Sequence, residues 1–184
     1  MAHITLITGG TRSGKSLFGQ QMAERQAGTR LFLATCPVMD DEMARRIRRH
    51  RQDRQGGNWQ TIEETVAVAA QLDLAGRYDT VLIDCLTLWI NNLMFHAGQG
   101  DMVIDEDRIA TETTSLLAAA RRHPGRVIMI SNEVGLGIVP DNQQARLYRD
   151  LVGRCNQCVA GEADAVYLVC CGLPLQIKGE NHAM

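Results

Sequence analysis

Gly9-Gly10-Thr11-Arg12-Ser13-Gly14-Lys15-Ser16 follows a short apolar run and precedes a stretch with helical spacing. G-x-x-x-x-G-K-S between a strand and a helix is the P-loop pattern. Its glycines let backbone N–H groups curl around a phosphate, and the helix N-terminus adds positive potential. Lys15 would reach the β- and γ-phosphates, and the Ser16 hydroxyl would ligate Mg²⁺. Of the 19 basic residues only Lys15 and Lys178 are lysines. Where a generic positive charge would serve, this chain uses arginine, so Lys15 marks a place that needs a compact ammonium group.

A P-loop also needs an acid on the metal side, at the end of a neighbouring strand. Asp84 fits, because it closes the apolar run Val81-Leu82-Ile83. The same residue could instead cap a helix. A third segment, residues 40–54, is not explained by a generic NTPase. It holds Arg45, Arg46, Arg48, Arg49, Arg51 and Arg54 around His50. On a helix Arg46, His50 and Arg54 share a face, edged by Met43 and Ile47. Neighbouring guanidiniums make an imidazole lose its proton more easily, and a neutral imidazole is a nucleophile. The same arginines could hold polyphosphate. A solvated basic face accounts for these residues equally well, and the residues alone leave the two readings open.

These segments need a frame. Continuously apolar strands are expected over 4–8, 30–35, 80–84, 126–131 and 165–171, with a shorter extended piece over 59–62. Helices are expected over 15–26, 40–54, 64–72, 86–97, 105–122 and 142–160. The first helix would bury Leu17, Phe18, Met22 and Ala23. Strands alternating with helices predict an α/β fold, a mostly parallel sheet covered on both faces. Gly172-Leu173-Pro174 would turn the last strand into an antiparallel edge hairpin. No repeat or composition break divides the chain, so residues 1–184 are read as a single nucleotide-binding domain.

The 184 residues are 45% hydrophobic and 22% charged, with a formal net charge of −2. That balance argues against disorder and against a nucleic-acid-binding surface, as does an aromatic content of 4%. No apolar run reaches the ~20 residues of a membrane span, and the start does not resemble a secretory signal. A cytoplasmic protein is expected. The six cysteines (Cys36, Cys85, Cys155, Cys158, Cys170, Cys171) are then read as reduced, mostly buried thiols. Cys155 and Cys158 fall mid-helix with no second C-x-x-C, against zinc or redox chemistry. Cys170 and Cys171, adjacent in a strand, would point to opposite faces. His3, His96, His123 and His182 are read as surface or packing residues.

The segments together resemble a known family. They are the P-loop; Asp40-Asp41-Glu42-Met43 with Arg46-Ile47 and His50; Asp84-Cys85-Leu86-Thr87-Leu88-Trp89 with Asn91-Asn92-Leu93; Ser131-Asn132-Glu133-Val134-Gly135-Leu136-Gly137-Ile138-Val139-Pro140; Arg149-Asp150 with Gly153-Arg154; and Gly172-Leu173-Pro174-Leu175. The family is the bifunctional adenosylcobinamide kinase / adenosylcobinamide-phosphate guanylyltransferase of cobalamin biosynthesis. The resemblance implies a RecA-like P-loop fold and a homotrimer. It implies phosphorylation of the corrinoid adenosylcobinamide by a nucleoside triphosphate, ATP or GTP, with Mg²⁺. It then implies transfer of GMP from GTP to that phosphate through a GMP–histidine intermediate, which maps onto His50. Family patterns place further nucleotide contacts at Thr35, Arg51, Arg54, Glu63 and Asp84.

Three rivals are weighed against this. A plain small-molecule P-loop kinase would not need His50. A GTP-dependent switch would carry N-K-x-D, which a chain with lysines at 15 and 178 lacks. An RNA-binding module on the arginine helix sits badly with the net charge and the few aromatics.

Overall fold

The computed structural model describes residues 2–36, 57–100 and 103–179. The helix expected over 40–54, with His50, Arg51 and Arg54, lies outside the described residues. The elements are β1 (His3–Gly9), α1 (Lys15–Glu24), β2 (Arg30–Ala34), β3 (Trp59–Glu63), α2 (Val68–Asp73), β4 (Thr80–Asp84), α3 (Leu86–Gly98), α4 (Glu106–Arg122), β5 (Arg126–Ile130), α5 (Gln143–Glu162), β6 (Ala165–Cys170) and β7 (Leu173–Lys178). The strands form one sheet in the order β3-β2-β4-β5-β1-β6-β7. All neighbours are parallel except β6 and β7.

Each central strand is apolar throughout because both of its faces are covered. In β4, Val81 and Ile83 join the core under α2, α3, α4 and α5, while Leu82 joins the core under α1. β5 divides in the same way, Val127 and Met129 against Ile128 and Ile130. The larger core is closed by Trp89 and Ile90 of α3, Ile109 and Leu116 of α4, and Leu151 and Val152 of α5. Trp89 is 1% exposed, and truncating it to alanine would cost about 3–5 kcal/mol.

Three local expectations are corrected. Of the stripe expected on α1, Ala23 is buried and Phe18 and Met22 pack against the core, but Leu17 is 59% exposed, and Lys15 and Gly19 are the further buried positions. Gly19 lies close on the sheet: a Cβ there would stand 2.8 Å from Ile130 Cδ1, so a larger residue would push the Ile130, Leu82 and Ile7 side-chain ends aside. The helix expected from residue 64 begins at Val68, because the Glu64 carboxylate accepts the N–H groups of Val66 and Ala67 ahead of it. Cys171 is not in a strand. It and Gly172 form the two-residue turn between β6 and β7, with φ of 51° and 80°, as a type I′ turn requires. Cys170 and Cys171 are therefore both exposed, not buried on opposite faces.

β5 also separates the P-loop strand from the Asp84 strand. β1 pairs with β5, and β5 pairs with β4, with Ile7, Ile130 and Asp84 in register. The acid thus stands two strand spacings from the loop, ~10 Å, rather than on the adjoining strand.

Candidate active site

The P-loop leaves β1 at Gly9. A Cβ there would fall 2.4 Å from the Val169 carbonyl of β6, so only glycine fits. Gly14 caps α1 in the left-handed region with φ 98°, where side chains are strained. No side chain caps α1 and no acid stands in its first turn, as is also true of α2 and α3. What sets α1 apart is that its N-terminus follows the Gly-rich loop, the arrangement that binds phosphate. Ser13 adds a buried hydroxyl with no hydrogen-bond partner among the described residues. Lys15 is 8% exposed and its ammonium donates to the Gly10 carbonyl at 2.8 Å, spanning the loop it closes. The hairpin turn braces this loop from outside, through a 2.8 Å hydrogen bond from Gly172 N–H to the Ser13 carbonyl.

Asp84 ends β4, where Thr35 fixes the backbone around it. The Thr35 N–H donates to the Asp84 carbonyl at 3.1 Å. Its hydroxyl donates to the Cys85 carbonyl at 2.7 Å and accepts the Cys85 N–H at 2.8 Å. Thr35 is fully buried, so its side chain works on the Asp84–Cys85 step of the chain. Asn92 of α3 holds the strand ends beside it, donating to the carbonyls of Thr35 and Thr65 at 2.8 and 3.0 Å. Burial pushes the Cys85 thiol up to about 11, with the Asp84 charge adding to the rise and Lys15 opposing it. Both charges of the site therefore act at Cys85.

A polar network that the sequence reading did not assign joins these strand ends. Cys85 Sγ lies 2.9 Å from Thr87 Oγ1, which accepts from Asn132 Nδ2 at 2.9 Å. Asn156 of α5 accepts the Ser131 hydroxyl at 2.5 Å and donates to the Asn132 carbonyl at 3.0 Å. Tyr148 donates its hydroxyl to the Thr87 carbonyl at 3.2 Å. Ser131 N–H bonds to Ile7 and Glu133 N–H to Gly9, so the segment after β5 is tied to the P-loop strand. Cys85, Thr87, Ser131 and Asn132 lie in the segments that carry the family resemblance, whereas nothing in the sequence marked Tyr148 or Asn156.

Nearly the whole chain, residues 5–177, matches the model of one family, cobinamide kinase / cobinamide phosphate guanyltransferase. The chain belongs to this family. It is 41% identical to the bifunctional adenosylcobalamin biosynthesis protein CobU of Salmonella typhimurium, over 94% of this chain and 98% of that protein. It is 40% identical to the corresponding CobP of Pseudomonas aeruginosa, over 95% and 97%. In fold it resembles a KaiC-like protein of Pyrococcus horikoshii, with a TM-score of 0.50 over 90% of this chain and 70% of that one, at 14% identity. The mostly parallel α/β sheet with an antiparallel edge hairpin expected from the sequence is thus the observed one, with β5 standing between loop and acid.

Within this family frame the described site residues fall at the C-terminal ends of β1, β2, β3 and β4, where open α/β sheets bind ligands. Glu63 is exposed at the end of β3, in register with Ala34. Ser16 is half-buried in the first turn of α1, and its hydroxyl makes no hydrogen bond among the described residues. Ser16 and Asp84 offer hard oxygen donors, the kind Mg²⁺ takes alongside substrate phosphates and water. No group of three or more His, Cys, Asp or Glu gathers among the described residues. Cys155 is fully buried, with its thiol pushed up to about 12 by burial, and Cys158 is half-buried on the same helix. No described helix is long and apolar enough to cross a membrane.

Proposed function

We propose that this chain phosphorylates the aminopropanol hydroxyl of adenosylcobinamide and then joins GMP from GTP to that phosphate, releasing pyrophosphate. The observation that carries this reading is the Gly-rich P-loop with buried Lys15 at the N-terminus of α1, in a chain matched over residues 5–177 by the family of that name. Lys15 and the loop N–H groups hold the phosphates of the nucleotide and take up charge as a P–O bond breaks. Asp84 and Ser16 would hold Mg²⁺, which when bound offsets phosphate charge. Thr35 keeps Asp84 in place through the Cys85 backbone.

His50 is the nucleophile of the second reaction in this reading. Its neutral ring nitrogen forms a bond to the α-phosphorus of GTP, and the bond to the β-phosphate oxygen breaks as pyrophosphate leaves. The corrinoid phosphate oxygen then displaces the imidazole, giving adenosylcobinamide-GDP and the free histidine. Arg51, Arg54 and Glu63 complete the nucleotide site in the same reading, the arginines by pairing with phosphate oxygens, while the fully buried Thr35 acts only through the backbone of Asp84 and Cys85. The chain works as a homotrimer in the cytoplasm.

Incubation with GTP labelled at its α-phosphorus tests the guanylyl step. Label retained on denatured protein, and discharged by adenosylcobinamide phosphate, is the expected result. Direct formation of adenosylcobinamide-GDP with protein never labelled would overturn the covalent route. Absence of both corrinoid products would overturn the function itself.

Asp84→Asn keeps the size of the side chain and removes its charge. The expected result is a Mg²⁺ titration displaced to higher concentration and turnover reduced by roughly tenfold or more, with the fold unchanged by circular dichroism. Superimposable titrations would leave Asp84 as a mere strand end.

A further inference from the structure

The turn that braces the P-loop carries two exposed cysteines side by side. Cys170 Sγ and Cys171 Sγ lie 3.8 Å apart, on the same side of the hairpin end. Positive φ at Cys171 breaks the strand alternation that would have sent them to opposite faces. A single soft centre bonded to both sulfurs at ~2.3 Å would hold them ~3.5–3.8 Å apart. A structural zinc ion would need four such ligands, and no third His, Cys, Asp or Glu joins the pair among the described residues. A trivalent arsenical with one organic substituent needs two sulfurs and no more.

We propose that Cys170 and Cys171 form a dithiol site for mono-organic trivalent arsenicals, and that filling it weakens nucleotide binding at the P-loop. The chemistry balances without a redox step. An arsenoso group, R–As=O, takes both thiols, two As–S bonds form, and the oxygen leaves as water with the two thiol protons. The coupling to the loop is short. Gly172, next in the chain, donates its N–H to the Ser13 carbonyl at 2.8 Å. Its Cα also stands 3.2 Å from where a Cβ on Gly14 would be, so there is no slack between turn and loop. A ring closed across Cys170 and Cys171 encloses the peptide between them, one residue ahead of Gly172, and the organic substituent on arsenic then stands at the turn and disturbs that brace. The other thiols compete poorly: Cys85 and Cys155 are buried, and Cys36 and Cys158 are half-buried.

Phenylarsine oxide added to the full chain tests both parts. Expected are loss of two titratable thiols per arsenical bound, an adduct mapped to the peptide holding residues 170 and 171, and GTP binding weakened by roughly fivefold or more, the scale of one lost backbone hydrogen bond. A small dithiol should reverse all three. Cys170→Ser and Cys171→Ser should each bind GTP as the parent does, and neither should respond to the arsenical. An adduct mapped elsewhere, or an unchanged response in the serine variants, would overturn the site. An adduct at this pair with unaltered GTP affinity would overturn the coupling. Because the adduct is mapped without turnover, failure here is distinguishable from failure of the two proposed reactions.

Discussion

Lys15→Ala should lose both reactions, each by ~10²-fold or more, since one phosphate-clamping donor is worth that much in rate. The ammonium is buried at the heart of the loop and touches the Gly10 carbonyl, so nothing else described can move into its place. Both reactions break a phosphoanhydride bond of a nucleoside triphosphate, and both gather negative charge on the departing phosphate. Lys15→Arg should not rescue either one. A guanidinium is planar and wider, and it cannot occupy a pocket shaped around a compact ammonium. The measurement is steady-state turnover of each half-reaction, with thermal melting to confirm the fold. Near-normal turnover in a folded Lys15→Ala protein would remove the P-loop from both reactions. Loss of one reaction only would show that a second nucleotide site, away from Lys15, serves the other.

What could be read from the sequence was local. The P-loop is eight contiguous residues whose types are dictated by backbone geometry, and Asp84 follows an apolar run whose end is unmistakable. Both fell where expected along the chain. The position of β5 between their strands did not, because no residue near either one encodes which parallel neighbour it will take. The polar network is hidden for a related reason. Thr87 and Asn132 are 45 residues apart, and Ser131 and Asn156 are 25 apart, so their pairing exists only after the sheet and α5 have assembled. Thr35 was legible as a site residue only by resemblance, and the structure gives it a definite job on the Cys85 backbone. Leu17 misled because hydrophobicity alone places it on the inner stripe. Ala23, Phe18 and Met22 do pack on the core, and the buried positions beside them are Gly19, which lies close on the sheet side chains, and Lys15. Cys171 misled because the turn begins one residue earlier than the apolar run suggests.

His50→Ala should separate the two activities. Its imidazole is proposed to attack the α-phosphorus of GTP and hold GMP as a phosphoramidate. The flanking arginines would disperse charge on the transferring group and keep the ring neutral, because a second positive charge among guanidiniums is disfavoured. The kinase step has no use for this nucleophile, since the corrinoid brings its own hydroxyl to the γ-phosphate. The variant should still make adenosylcobinamide phosphate, at a reduced rate, and should neither acquire GMP nor form adenosylcobinamide-GDP. Arg49, next in sequence, cannot substitute, because a guanidinium stays protonated and is a poor nucleophile. On the parent protein the label should be lost in acid and survive base, as phosphoramidates do and phosphate esters of serine do not. Acid-stable label, or full guanylyl transfer by His50→Ala, would refute the covalent histidine. Loss of both activities in a folded variant would mean that His50 also positions the nucleotide for the kinase step. The two reactions would then share one site, and the separation argued here would fail.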